Sequence, residues 1–402
     1  MKKRLISLIL IMALLFTFTV GVFASDQEVI DENDIYNGAD DTYTSGDNIT
    51  LNAKSAILMD AETGAVLYAK NAHEALPPAS VTKIMTLLLV AEAIADGRIT
   101  LDQKVTVSAN ASGMGGSQIF IKEGEIFTVE ELLKSAVIAS ANDAAVALAE
   151  LISGSESAFV SRMNERAREL SMKNTVFENA TGLDDTVTKH QTSAYDIAVM
   201  SRELIKHDVI LKHSNVWQDS IRNGEFILTN TNRLVRYYSG CTGLKTGSTD
   251  KAGFCVSATA KRDGMHLIAV VMGSPTRDER NNSARSLLDY GFANYALYRD
   301  SECDLEQIPV KRGTVSSVMA YSTEFSLLIS RSDIKRIEKK YTIPESVIAP
   351  FEKNSKIGEI IYYLDDNELG RSDICVREGA ERISFIKIVS GILWAIIVGK
   401  GE

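Results

Sequence analysis

Apolar and polar positions divide this chain into an apolar run near the N-terminus, a long central region in which strand-like and helix-like periods alternate, and a second apolar run near the C-terminus. In the central region, residues 55–60 and 65–69 are short β-prone runs joined through Glu62-Thr63-Gly64, the pattern of a hairpin. Residues 76–91 (LPPASVTKIMTLLLVA) are almost wholly apolar, which predicts a helix buried on all sides, with Pro77-Pro78 marking its start. Thr128-Val129-Glu130-Glu131 has the form of a capping box opening an amphipathic helix towards Ile138. A further apolar helix is expected over residues 143–152, ending near Gly154. Residues 254–260 and 265–272 then read as two strands joined by Lys261-Arg262-Asp263-Gly264, a hairpin with an Asp-Gly turn. A helix is expected from about Asn282 to Tyr295.

Strands at both ends of residues 51–298, with helices between, imply a single sheet covered by a mainly helical lobe, an α+β domain with any site at the junction. From 299 to 381 the period shortens to strands such as 326–329 and 359–363, separated by turn signals like Asp365-Asp366-Asn367, which predicts a small all-β domain.

The chain ends shape the expected setting. Lys2-Lys3-Arg4, the apolar residues 5–20 and Val22-Phe23-Ala24 read as a secretory signal peptide (residues 1–24) cleaved after Ala24. Its loss removes three positive charges and moves the formal net charge from -10 to -13, an acidic balance that argues against nucleic-acid binding. Residues 25–50, rich in Asp, Asn and Gly and without Lys or Arg, read as a disordered acidic spacer. Residues 382–402 include a strongly apolar stretch with Lys387 near one end, expected to tether the protein to a membrane as a short span or an interfacial helix.

Chemistry enters through three motifs in fixed order: Ser80-Val81-Thr82-Lys83, Ser140-Ala141-Asn142 and Lys245-Thr246-Gly247. Lys83 is the only charge in its apolar segment, so its ammonium form loses solvation and a neutral amine becomes accessible near neutral pH. If the helix begins at Ser80, Ser80 and Lys83 share one face, an activated nucleophile beside its base. Ser140-Ala141-Asn142 lies in the link between two helices, and Lys245-Thr246 would present a cation and a hydroxyl along a strand, with Gly247 allowing close approach. The five histidines are scattered, without metal-ligand spacing, and read mostly as surface or loop residues. The four cysteines contain no CxxC pair. Bridges within Cys241/Cys255 or Cys303/Cys375 are open, with free, buried thiols favoured, and no metal or cofactor is expected.

With these residues the chain resembles the low-molecular-weight penicillin-binding proteins that are serine-type D-alanyl-D-alanine carboxypeptidases. The resemblance extends to residues 116–120 (GSQIF), 175–184 (TVFENATGLD), 243–253 (GLKTGSTDKAG) and 272–280. It implies a β-lactamase/transpeptidase-like catalytic domain, with peptidoglycan stem peptides ending in D-Ala-D-Ala and β-lactam antibiotics as partners. It further implies Ser80 as nucleophile, Lys83 as base and Ser140 as proton relay, with Asn142, Lys245, Thr246 and Gly247 binding substrate. The N–H groups of Ser80 and Ser248 are implied as the oxyanion hole, and Ser117 and Arg280 as neighbours of the site. It also implies a protein exported and held on the outer face of the cytoplasmic membrane. A β-lactamase ranks lower, because NTVFENATGLDD lacks the ExxLN pattern, and a D,D-endopeptidase or an idle wall-binding descendant rank lower still.

Overall fold

A computed structural model describes residues 49–185, 187–384, 386, 389 and 390. The signal segment, nearly all of the spacer and most of the C-terminal apolar run lie outside these residues. Among the described residues, no single helix is long and apolar enough to cross a membrane.

The expected first hairpin forms as β1 (Ser55–Asp60) and β2 (Val66–Lys70). After it, Ala79–Thr82 is a 3-10 turn and the apolar helix α1 covers Lys83–Ala95. The α-helix therefore starts three residues later than a start at Ser80, and the tighter turn replaces its first residues. In that turn Ala79 adopts φ 49, and Pro78 rather than a serine or threonine occupies the cap. Helix α2 (Val129–Ile138) opens on the capping box as predicted, Glu131 N–H donating to Thr128 Oγ1 at 3.1 Å and Thr128 N–H to Glu131 Oε2 at 3.0 Å. Helix α3 (Asn142–Ser153) ends on Gly154 in the left-handed region, φ 78.

Strands β3 (Cys241–Thr249), β4 (Gly253–Arg262) and β5 (Met265–Ser274) complete an antiparallel sheet of order β2-β1-β5-β4-β3, and the Asp263-Gly264 turn has both residues at positive φ. The side chains of β1 alternate between two cores: Ile57 and Met59 join the helical lobe, while Ala56 and Leu58 face Leu287, Leu288 and Phe292 of α4 (Arg277–Asn294). Both faces of the sheet are thus covered. Helix α4 starts five residues before the expected Asn282, because Thr276 accepts the Glu279 N–H at 3.2 Å and caps it there. The Thr-x-x-Glu signal at 276–279 was legible in the chain.

Strand β6 (Tyr295–Asp300) straddles the expected boundary at 298/299 and pairs with β8 of the second domain, defined next. That domain is a six-stranded sheet in which β7 (Ser317–Ser322) and β10 (Asn367–Val376) are central neighbours, with β9 (Lys356–Leu364) beyond β10; β8 (Phe325–Ser330) lies apart with β6. Its small core holds Ile308, Ala320, Ile360, Tyr362 and Ile374. The four cysteines are free, and Cys255 and Cys375 are buried as expected. Cys303 is exposed, a departure from the expectation, because its strand turns that face to solvent.

Candidate active site

The site forms where the Ala79–Thr82 turn meets the free edge of β3. A Cβ on Gly247 would lie 2.7 Å from Ser80 N and 2.8 Å from Pro78 O, so only glycine lets the strand lie this close to the turn. This contact brings the first and third motifs together. The second arrives on the α2–α3 link, where Ser140 adopts φ 61. Ser80, Ser117, Ser140, Thr246, Ser248 and Arg280 border a cavity of about 620 Å³, with Lys83, Asn142 and Lys245 buried around it.

Lys83 Nζ has three polar neighbours: Ser80 Oγ at 3.1 Å, Asn142 Oδ1 at 2.5 Å and Thr181 O at 2.9 Å. Asn142 is held in this orientation because its Nδ2 donates to Gly115 O at 2.7 Å, which turns Oδ1 towards the lysine. Two of the three neighbours can only accept. A neutral amine has two hydrogens, so they go to Asn142 and Thr181, and the lone pair faces Ser80 Oγ. Burial, followed by the Lys245 charge, pushes the Lys83 amine well below the ordinary lysine range, while Asp143 opposes the shift.

Lys245 is buried as well, which an edge strand did not lead one to expect. Its Nζ donates to Ser140 Oγ at 2.7 Å and to Thr246 O at 3.2 Å, and burial together with the Arg280 guanidinium pushes it down to about 7. Thr246 Oγ1 donates to Thr231 Oγ1 at 2.8 Å. Arg280 is itself pushed down to about 10 by burial and by Arg277 and Arg233, a third cation facing the same space. Together the site offers a serine hydroxyl, a neutral amine directed at it, a second hydroxyl and a cationic end suited to a carboxylate.

Residues 40–276 match the D-alanyl-D-alanine carboxypeptidase family, peptidase S11. The chain belongs to this family. Residues 295–382 match the C-terminal domain of penicillin-binding protein 5, so the two-domain fold is that of a penicillin-binding protein, and the chain is a hydrolase with D-alanyl-D-alanine carboxypeptidase activity. The D-alanyl-D-alanine carboxypeptidase DacF of Bacillus subtilis is 40% identical over 392 residues, covering 96% of each chain. Penicillin-binding protein 5 of Haemophilus influenzae, a solved structure, is 30% identical with a TM-score of 0.68, covering 83% of this chain and 99% of that one. Penicillin-binding protein D2 of Listeria monocytogenes, solved with ampicillin bound, is 31% identical with a TM-score of 0.56, covering 61% of this chain and 99% of that one.

Several site residues were not singled out in the sequence. Thr181 contributes only its carbonyl, a role that no side-chain pattern reports. Asp143 accepts the N–H groups of Ile119, Ile121 and Ala144 and so fixes the segment that carries Ser117. Trp217, Arg233, Tyr237 and Arg277 line the outer cavity.

The histidines depart from the surface reading: His190 and His213 are buried. His190 is pushed down to about 4 by burial, with Glu178 opposing. A histidine depressed in this way is neutral in the fold and binds its proton more readily when unfolded. It therefore stabilises the fold fully above pH 6.5, and about 3 kcal/mol of that is lost as pH falls from 6.5 to 4. Urea denaturation of the protein and of His190→Gln at pH 7 and pH 4.5 checks this; the variant is expected to lose less stability over the interval.

Proposed function

We propose that this enzyme removes the terminal D-alanine from peptidoglycan stem peptides through an acyl-enzyme on Ser80. The observation that carries the reading is the Lys83 amine 3.1 Å from Ser80 Oγ, with its hydrogens drawn to Asn142 and Thr181. The terminal carboxylate lies against Lys245, Thr246 and Arg280, its charge restoring the Lys245 proton. Ser80 Oγ attacks the carbonyl of the penultimate residue as its proton passes to Lys83. The oxyanion is held by the N–H groups of Ser80 and Ser248, each such donor contributing ~3 kcal/mol.

Ser140 already accepts a hydrogen bond from Lys245, so its own hydrogen is available to the leaving nitrogen. The proton on Lys83 travels through Ser140 to that nitrogen, the C–N bond breaks and D-alanine departs. Water then attacks the ester, gives its proton to Lys83, and Ser80 regains a proton as the acid leaves.

A penicillin presents a strained amide beside a carboxylate and acylates the same serine. No carboxylate side chain lines the described cavity to activate a second water, and Glu178 instead accepts the N–H groups of Thr188 and Lys189 at the base of its loop. This favours a long-lived penicilloyl-enzyme over a β-lactamase. The basic and apolar N-terminal segment supports export, and the apolar residues 383–399 support a tether on the outer membrane face, close to the stem peptides.

The test uses a fluorescent penicillin and a pentapeptide ending in D-Ala-D-Ala, with Ser80→Ala alongside. Stable labelling and D-alanine release, both absent in the variant, are expected. Rapid penicillin turnover, cleavage confined to cross-linked dimers, or labelling that survives in Ser80→Ala would overturn the reading.

A further inference from the structure

The mechanism above makes no use of His190, a buried imidazole wedged between the first motif and the 178–190 loop. Its Nδ1 lies 3.0 Å from Glu178 N, and its Nε2 lies 2.7 Å from Thr82 Oγ1. A backbone N–H can only donate, so Nδ1 carries no hydrogen and the neutral ring has its proton on Nε2, which donates to Thr82. One tautomer therefore bridges the loop to the residue between Ser80 and Lys83. The edge of the Phe177 ring packs against it, with centroids 5.8 Å apart.

What this loop delivers is the Thr181 carbonyl on Lys83, beside the Ala180 carbonyl that accepts from Thr86 Oγ1 at 2.7 Å. We propose that His190 is a positioning residue for the general base: by pinning the loop at Glu178 to the turn at Thr82, it keeps Thr181 O on one Lys83 hydrogen and thereby keeps the amine lone pair on Ser80. If the pin is lost, the carbonyl drifts, an N–H competes for the direction of Ser80 Oγ, and acylation slows. The carboxylate-binding groups Lys245, Thr246 and Arg280 sit on other elements and are untouched. The loss falls on the acylation step and spares initial binding.

The inference rests on Lys83 being the base, and the experiment separates the two. Stopped-flow acylation by a chromogenic cephalosporin over a concentration series gives the saturating rate constant and the half-saturating concentration for His190→Ala, His190→Asn and His190→Gln. In the alanine variant the rate constant is expected to fall on the order of 10²-fold, the scale of a small misplacement of a reacting group, with half-saturation changing less than about twofold. Asparagine keeps an acceptor for Glu178 N–H and is expected to restore part of the rate. Glutamine keeps the donor to Thr82 but loses the loop bond, so its rate stays low; this variant decides the matter if the alanine protein does not fold. A wild-type rate constant in a folded variant, or a raised half-saturation with an unchanged rate constant, overturns the inference. A Lys83→Met protein that acylates normally overturns instead the reading on which the inference rests.

Discussion

Lys83→Met is expected to lower the rate of acylation by penicillin on the order of 10⁴-fold while leaving a folded protein. Methionine preserves the length and apolar stem of the side chain, so α1 keeps its packing in the helical lobe. What disappears is the only basic atom within reach of Ser80 Oγ among the described contacts. Asn142 Oδ1 and Thr181 O are left without their donor, a desolvation cost of roughly 1–3 kcal/mol for each buried acceptor. The variant should therefore melt lower yet lose far more activity than stability. Arginine does not rescue it, because a guanidinium keeps its proton and cannot serve as base. Time courses of fluorescent penicillin labelling, with thermal melts on the same samples, give both quantities. Labelling within tenfold of wild type would remove Lys83 from the mechanism.

Gly182→Ala is expected to be the most damaging small substitution away from the reacting atoms. Gly182 has φ 82, and a Cβ there would stand 1.8 Å from Ala79 O and 2.7 Å from Thr82 Oγ1. Left-handed strain alone costs roughly 1–2 kcal/mol. The overlap with backbone admits no rotamer escape, so the loop must lift off the turn, taking the Thr181 carbonyl from Lys83. A stability loss of about 3 kcal/mol and an acylation rate at least about 100-fold lower are expected together. Gly97→Ala is the matched control: φ is 70, but nothing lies within 4 Å of the added carbon. It should show the backbone cost alone, with acylation unchanged. Equal behaviour of the two variants in urea denaturation and in labelling would show that the loop does not press on the turn.

Local signals carried much of the fold. The Thr128–Glu131 box, the Gly154 stop, the Asp263-Gly264 turn and the alternating side chains of the β3–β5 strands are each set by residues within a few positions of one another, so they can be read along the chain. The site was legible to the same depth. An isolated charge in sixteen apolar residues implied a buried lysine of lowered basicity, and Lys83 is buried with its pKa lowered.

Other features became visible only in three dimensions. Lys245 on an edge strand read as a solvated cation, yet the second motif and Arg280 close over it and push it down to about 7. His190 read as a loop residue, yet the loop folds inward onto Thr82. Ala79 and Ser140 take positive φ without being glycine, held by packing that no local pattern announces.

The sequence by itself determined which groups can react, where helices and turns begin and end, and that the first lysine would lose its solvent. Only the tertiary structure decided which way that lysine's lone pair points. The direction depends on acceptors from Asn142 and Thr181, 59 and 98 positions along the chain, and the orientation of a hydrogen bond is a property of atoms in space that residue identity does not encode.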